Sequence, residues 1–552
     1  MEKVRIFALG GLDEDGKNMY VVEIENEIFI IEAGIKYPES SQLGIEFVIP
    51  DFSYLIENKE RIQGIFISHA HDDAMAALPY LLKQIDIPIY TTPLNALIIQ
   101  GMLSAHGIKR PTIKKIKRSA KLTIGNTSFQ TFATTHSVGE SFGLAIHTSQ
   151  GYIVYMGEFI VDYDARDEAF SCDISKIAEI GNHNVLCLLS ESVGAGRKGH
   201  TAPLHRIKET IEPYFENCDG RLIISVYAQN LYRAMEVLTL AIRYKKRVVI
   251  YGDELKKMLD KVVQMGHFVI PNNLLLDPAK FSNEDEDVVV IISASGPNIF
   301  RLMHKIAFNE EDVLEFTDRD TVIIASPIVP GTEKEAGIME NELYKTGAKI
   351  VTLSPKQVYS MHASQEDLKM MIYLLKPRYY LPIKGEYRQL IENANIATSM
   401  GYTPDRIIVL DNGQVASFDK SVLKSTAQSV PVGEVLIDGS DEWDLSGYVI
   451  KDREQLSTDG AIIVGVVIDF KTKQVVGGPD VQMRGFIYLK DADHIVSSIS
   501  QLMEDTIVDA VSKKQYENMA CRMDAKEKIQ KYVLKETGKR PMILPSIIEI
   551  NL

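Results

Sequence analysis

The residues best equipped for chemistry in this chain are His69, His71 and Asp73, spaced H-x-H-x-D in the segment Ser68-His69-Ala70-His71-Asp72-Asp73-Ala74, directly after the apolar run Ile65-Phe66-Ile67. Histidines two apart project to one side of an extended segment. Asp73 and position 74 then open a helix-like stretch at 74–83, whose N-terminus favours a carboxylate. Imidazole and carboxylate donors gathered at a strand end form the ligand set of a metal-dependent hydrolase. A full H-x-H-x-D-H pattern supplies four donors, but the fourth position here is Ala74, and a methyl group binds no metal. Three later segments fit the same site: His136-Ser137, Glu158 after Gly157, and Ile383-Lys384-Gly385-Glu386.

These residues need a rigid frame, and the hydrophobic pattern provides one. Residues 4–148 alternate short β-rich runs, at 20–25, 28–32, 64–67 and 89–92, with helix-like ones, an α/β layer pattern. Runs at 143–147 and 152–156, joined by Ser149-Gln150-Gly151, continue it as a strand pair. A second βα series occupies 203–354, with strands expected at 221–226, 247–251, 288–293 and 321–325, and reads as an inserted domain. Residues 355–439 complete the first domain (1–202) with strands at 379–383 and 407–410. The segment 440–458 turns polar at Asp438-Gly439-Ser440-Asp441-Glu442 and reads as a linker. A small tail domain follows at 459–552, with strands expected at 461–469, 474–476, 485–489 and 543–550 and helices at 494–511 and 523–536. Nothing repeats, and no stretch is low in complexity.

At 552 residues, 45% apolar and 24% charged, the chain has the composition of an ordinary water-soluble protein of several domains. The first twenty residues hold no uninterrupted apolar core, and no apolar run reaches membrane-spanning length, so neither a secretory signal nor a membrane role is expected. Cys172, Cys187, Cys218 and Cys521 are far apart and form no CxxC pair, which argues against disulfide and zinc-ribbon frameworks and points to the reduced cytoplasm. A net charge of −15 disfavours coating nucleic acid through bulk electrostatics, but leaves room for a local basic groove. Two basic runs stand out, Lys109 to Lys121 and Lys526 to Arg540, and the plain reading of each is a solvated face.

Beyond the order of candidate ligands, the segments Gly16-Lys17-Asn18-Met19-Tyr20, Ala77-Leu78-Pro79-Tyr80-Leu81-Leu82, Ser364-Gln365-Glu366-Asp367-Leu368, Gly385-Glu386-Tyr387-Arg388 and Arg540-Pro541-Met542-Ile543-Leu544-Pro545 closely resemble the ribonuclease J family. The resemblance spans essentially the whole chain and is nearest to the second, degenerate paralogue of Gram-positive bacteria. It implies an α/β metallo-β-lactamase αββα sandwich, an inserted β-CASP domain and a small α+β domain used in assembly. The implied activity is hydrolysis of RNA, 5′-to-3′ from 5′-monophosphate ends and also internally, in RNA decay and ribosomal RNA maturation. Carried over by position, His69, His71, His136 and Glu158 would hold a first metal, zinc or manganese. Asp73, Glu158 and positions 74 and 384 would hold a second. Glu191, His362 and Asp73 would serve catalysis, while Ser360, His362 and Lys384 would meet the RNA.

Departures from the family pattern carry the sharper expectation. Position 74 is Ala and position 384 is Lys, where the pattern has histidines. Glu32 and Glu158 replace aspartates, and Val358 replaces a histidine of an H-x-S-x-H segment. The usual G-S-Q-G-E-P loop is reduced to Ala294-Ser295-Gly296-Pro297. An extra methylene moves a carboxylate by more than a metal shell tolerates. The expectation is therefore at most one tightly bound ion per chain, weak or negligible intrinsic activity, and work as a homo- or hetero-oligomer beside an active ribonuclease J paralogue. An independently active one-metal ribonuclease and a non-catalytic RNA-binding scaffold are the alternatives.

Overall fold

The computed structural model describes residues 2–39, 42–165, 167–218, 220–328, 332–439, 443–444, 448–487 and 492–552. The chain divides into two compact units, Met1–Tyr37 with Phe47–Val435, and Pro38–Glu46 with Leu436–Leu552.

The larger unit is built on two facing sheets. One has eight strands in the order Val422–Ser429, Gln414–Asp419, Val4–Gly10, Met19–Ile24, Glu27–Ile31, Ile62–Phe66, Ile89–Thr91 and Ile113–Lys115. The other has six, in the order Tyr379–Ile383, Val185–Glu191, Gly151–Tyr155, Phe142–Thr148, Thr127–Ala133 and Lys121–Ile124. Strands such as Met19–Ile24 and Val185–Glu191 are buried throughout, and their side chains fill the space between the sheets with Phe29, Phe66, Phe129, Leu144, Ile153 and Leu189. On the outer face of the six-stranded sheet the helices Ile174–Gly181 and Gln365–Leu375 pack over Phe132, Val154 and Leu188.

An all-parallel six-stranded sheet, ordered Leu275–Leu276, Arg247–Tyr251, Val288–Ile292, Leu222–Ser225, Thr321–Ile324 and Lys349–Thr352, forms the inserted part. Helices on its faces cover near-continuous apolar strands such as Val288–Ile292, the burial pattern parallel sheets require.

In the smaller unit the strands Val475–Arg484, Ala461–Asp469 and Met542–Ile550 form one sheet. Its inner face packs on the helices Asp493–Ser512 and Asn518–Thr537 through Ile462, Val464, Ile499, Ile529 and Ile543. Among the described residues no helix is long and apolar enough to cross a membrane.

Five readings of local structure are corrected. The stretch at 74–83 is two short helices, Asp72–Met75 and Leu78–Leu82, because the amide of Ala77 is drawn to the carbonyl of Ala33 and Pro79 starts a new turn. Residues 407–410 form no strand: Ile407 contributes an isolated bridge to Tyr380, and only the Ile408 amide donates there. The tail strand expected at 474–476 extends to Arg484 with alternating exposure, so its outward half hid it, and the chain then turns at Gly485 with φ 64°. The remainder of the strand expected at 485–489 reaches outside the described residues. Within the segment read as a linker, Tyr448–Asp459 is a helix, while 440–442 and 445–447 lie outside the described residues.

Candidate metal centre

Parallel pairing of Glu27–Ile31, Ile62–Phe66 and Ile89–Thr91 delivers Ser68-His69 to the C-terminal end of the first sheet. The loop is held there by Glu32. This residue adopts φ 65°, is fully buried, and its carboxylate accepts from the Ser68 amide at 3.2 Å and the Tyr155 hydroxyl at 3.0 Å. Burial pushes Glu32 up to about 7. Gly34 lets Asp73 approach, since a Cβ there would lie 1.6 Å from the Asp73 carbonyl oxygen.

His69, His71, His136 and Glu158 converge, with one donor atom from each lying within 4.8 Å of the others. Each histidine commits its other nitrogen elsewhere. His69 Nδ1 meets Ser68 Oγ at 2.9 Å, His136 Nδ1 meets the Met361 carbonyl at 2.9 Å, and His71 Nε2 meets Ser137 Oγ at 2.9 Å and the Gln229 carbonyl at 3.3 Å. A carbonyl only accepts, so His136 Nδ1 and His71 Nε2 carry the protons and turn lone pairs inward. Those inward nitrogens, His136 Nε2 and His71 Nδ1, lie 3.2 Å apart. Two lone pairs at that distance in a dry pocket repel unless a proton or a cation lies between them.

Burial pushes both His71 and His136 down, disfavouring the proton. His69 Nε2 is buried without a hydrogen-bond partner, 3.4 Å from Glu158 Oε1, and His136 Nε2 is 3.2 Å from Glu158 Oε2. Ligands about 2.1 Å from a tetrahedral ion are about 3.4 Å from one another, so these residues fit a divalent cation.

The neighbouring position is filled by the protein itself. Lys384, at φ 53° and 4% exposed, places its ammonium against Asp73 Oδ2 and Glu158 Oε1. Burial alone would push this lysine down, but Asp73 and Glu158 outweigh it and hold the ammonium well above its ordinary value. Burial would raise Glu158, and Lys384, His69 and His136 together hold it well below the carboxylate range. Ala74 is fully buried and offers only its backbone, whose carbonyl accepts from Ala33.

A cavity of about 240 Å³ opens on this centre, lined by His71, Asp73, His136, Glu158, Ser360, His362 and Lys384 from one side and by Tyr227, Gln229, Arg233 and Gly296 of the inserted part from the other. Glu191, expected as a catalytic group, does not line it. Its buried carboxylate accepts from the amides of Phe159 (2.9 Å) and Ala363 (3.1 Å) and faces His362 Nδ1 at 2.7 Å, so it positions the Glu158 loop and His362. Val358 is buried away from the cavity lining.

Sequence reasoning missed several supporting residues. Arg197 donates to the Ser360 and His362 carbonyls, Arg233 donates to the Tyr359 carbonyl, and Gln229 ties His71 and Asp72 to the inserted part. Each acts on a backbone group or a residue far away in sequence, so no local spacing marks it.

Residues 12–124 match the metallo-beta-lactamase superfamily, 219–343 the ribonuclease J beta-CASP domain, 354–404 the Zn-dependent metallo-hydrolase RNA specificity domain and 448–550 the ribonuclease J C-terminal domain. Ribonuclease J 2 of Staphylococcus epidermidis is 33% identical over 552 residues, covering 99% of this chain and 98% of that protein. Ribonuclease J 2 of Staphylococcus aureus is 33% identical over 551 residues with the same coverage. A crystal structure of a protein of unknown function from Enterococcus faecalis superposes on 75% of this chain and all of its own, with a TM-score of 0.52 at 14% identity, a likeness of fold alone.

Proposed function

The chain belongs to the ribonuclease J family, and from that premise we propose that it is an RNA-processing subunit with weak or negligible hydrolysis of its own, working beside an active family member. The observation that carries this reading is the Lys384 ammonium between Asp73 and Glu158. In a two-metal hydrolase the second cation helps clamp the attacking and leaving oxygens. An ammonium balances the two carboxylates and attracts phosphate, but it has no open coordination position. His69, His71, His136 and Glu158 would hold a single zinc or manganese, which would supply Lewis acidity at one oxygen of the scissile phosphate. Ser360 and His362 face the same cavity and would orient the phosphate, with His362 held by Glu191.

Substrate would be RNA with a 5′-monophosphate end, and the partner an active ribonuclease J in a mixed or self-assembled oligomer. The cytoplasm suits the four free cysteines. A second reading, a slow one-metal ribonuclease, is favoured by the intact histidine cluster; a non-catalytic RNA-binding scaffold is the limit in which hydrolysis is nil.

Metal analysis of the purified chain, paired with degradation of 5′-monophosphorylated RNA by the chain alone and with an active relative, tests the proposal. At most one tightly held equivalent and little product alone are expected. Two equivalents with rapid exonucleolytic turnover would overturn it.

A further inference from the structure

Charge in this chain is segregated. Between Asp86 and Glu140 there is no Asp or Glu, while seven Lys and Arg occur there, in a protein of net charge −15. The fold gathers most of them on one margin of the sandwich. Ile113–Lys115 is the terminal strand of the eight-stranded sheet and Lys121–Ile124 the terminal strand of the six-stranded sheet, so the run between them crosses the open side from one sheet edge to the other.

The seven cations do not share one role. Arg118 is turned inward and donates to the backbone carbonyls of Ser141, Thr134, Glu168 and Ser171, which pins the crossing chain to the sandwich. Lys121 is in the field of Glu179. Lys109, Arg110, Lys114, Lys115 and Lys117 are exposed, and none of the five has an ion-pair partner among the described residues. By contrast, Lys528 and Lys531 in the tail's basic run are paired with Asp524 and Glu527 four residues earlier, the pattern of a solvated helix face.

Strand register places the unpaired cations relative to the metal centre. The strands Ile62–Phe66, Ile89–Thr91 and Ile113–Lys115 are parallel neighbours, with Ile65 beside Ile89 beside Ile113. The Ile116 amide donates to Thr91, whose hydroxyl donates to the Ile67 carbonyl. Lys117 therefore leaves the third strand at the same end of the sheet, and at the equivalent position, as His69 leaves the first. Two strand spacings are about 10 Å, a gap that an RNA strand bridges in a few nucleotides.

We propose that Lys109, Arg110, Lys114, Lys115 and Lys117 form a docking track for the sugar-phosphate backbone of single-stranded RNA, adjoining the cleft and independent of any metal in it. The inference rests on the reading that RNA is the substrate. It names the surface that would hold RNA on a chain whose catalytic centre has lost donors. Lysines on an edge strand also discourage edge-to-edge pairing. That role calls for a charge on the strand itself, and leaves unexplained Lys109 and Arg110 before it, Lys117 after it, and the absence of acidic residues across the whole segment.

The test is binding of a fluorescent single-stranded 5′-monophosphorylated oligoribonucleotide to the full chain in EDTA across a salt series. The triple variant Lys114→Gln, Lys115→Gln, Lys117→Gln is expected to bind at least about tenfold more weakly, with the log–log salt slope reduced by roughly 2, as three lost phosphate contacts on a single strand require. The matched Lys→Arg triple should keep wild-type affinity, and Lys526→Gln with Lys535→Gln should change little. If the Gln triple associates through its exposed edge, amine footprinting of the wild-type chain replaces it, and RNA must protect Lys114, Lys115 and Lys117 but not Lys526. Wild-type binding that the triple variant leaves unchanged, or absence of that protection, overturns the track alone. Failure of the wild-type chain to bind RNA at all overturns the proposed function with it.

Discussion

Replacing Lys384 with methionine keeps an unbranched side chain, one atom shorter, and removes its charge, which makes it the sharpest probe of the centre. Two carboxylates meet this ammonium, but unequally: the Glu158 side chain is 3% exposed and that of Asp73 24%, against 5% for Lys384. An exposed pair is worth about 0–1 kcal/mol, whereas deleting one partner of a buried pair costs about 3–5 kcal/mol because the survivor is left charged and unsolvated. The Glu158 contact therefore dominates, and Lys384→Met should destabilise the larger unit by about 3 kcal/mol in EDTA. Two compact units need not unfold in one step, so the larger unit's own transition must be followed, by urea unfolding with far-ultraviolet circular dichroism.

Adding Glu158→Gln removes the stranded charge and should recover part of the loss, with a coupling of about 1–3 kcal/mol in the double-mutant cycle. The single variant should also gain more stability from added zinc or manganese than the wild type does, because Asp73 and Glu158 are freed to bind a cation. A loss below about 1 kcal/mol, together with an unchanged response to metal, would refute the view that this ammonium stands where a second cation would be needed.

Three further outcomes follow from the same geometry. Ala74→His alone should leave RNA hydrolysis near the wild-type level, whereas Ala74→His with Lys384→His, Glu32→Asp and Glu158→Asp should raise it, since groups acting as a unit are not additive; rapid exonuclease activity from the single change would contradict this. His267 Nε2 lies 2.8 Å from Glu140; the hydrogen bond it donates to the Glu140 carboxylate raises the histidine, while burial of Glu140 is outweighed by His267 and the Leu94 amide, which lower it. The pair's contribution is thus full between the ordinary values 4.5 and 6.5, lost above as pH rises through the raised histidine and below as pH falls through the lowered carboxyl, so thermal melts of His267→Gln should differ most from wild type near pH 5.5 and converge on either side. A chain ending at Val435, placed ahead of the helix Tyr448–Asp459 because a cut near 457 would split that helix, should keep the larger unit's fold but lose self-association and capture of an active relative; the exposed Ile463, Leu544 and Ile548 on the tail sheet's outer face favour that role, and sedimentation with unchanged mass would reject it.

Much of the centre was legible in the residue order because its chemistry is local: the two-residue spacing of His69 and His71 puts both on one side of an extended chain, and a missing imidazole at 74 is visible as a letter. Strands buried on both faces, such as 288–292 and 185–191, announce themselves as apolar runs, whereas Val475–Arg484, half exposed, and the short helices after Asp72 do not, because their ends are set by hydrogen bonds to distant partners such as Ala33. The sequence alone also determined that residues 109–121 are basic and that position 384 is a lysine. What those charges do is set by long-range packing. Parallel register brings Lys117 to the same sheet end as His69, and the left-handed backbone at Lys384, φ 53°, accompanies an ammonium buried between two carboxylates more than two hundred residues away. Electrostatic energy depends on distance and burial, and both are fixed by long-range packing that residue spacing does not encode.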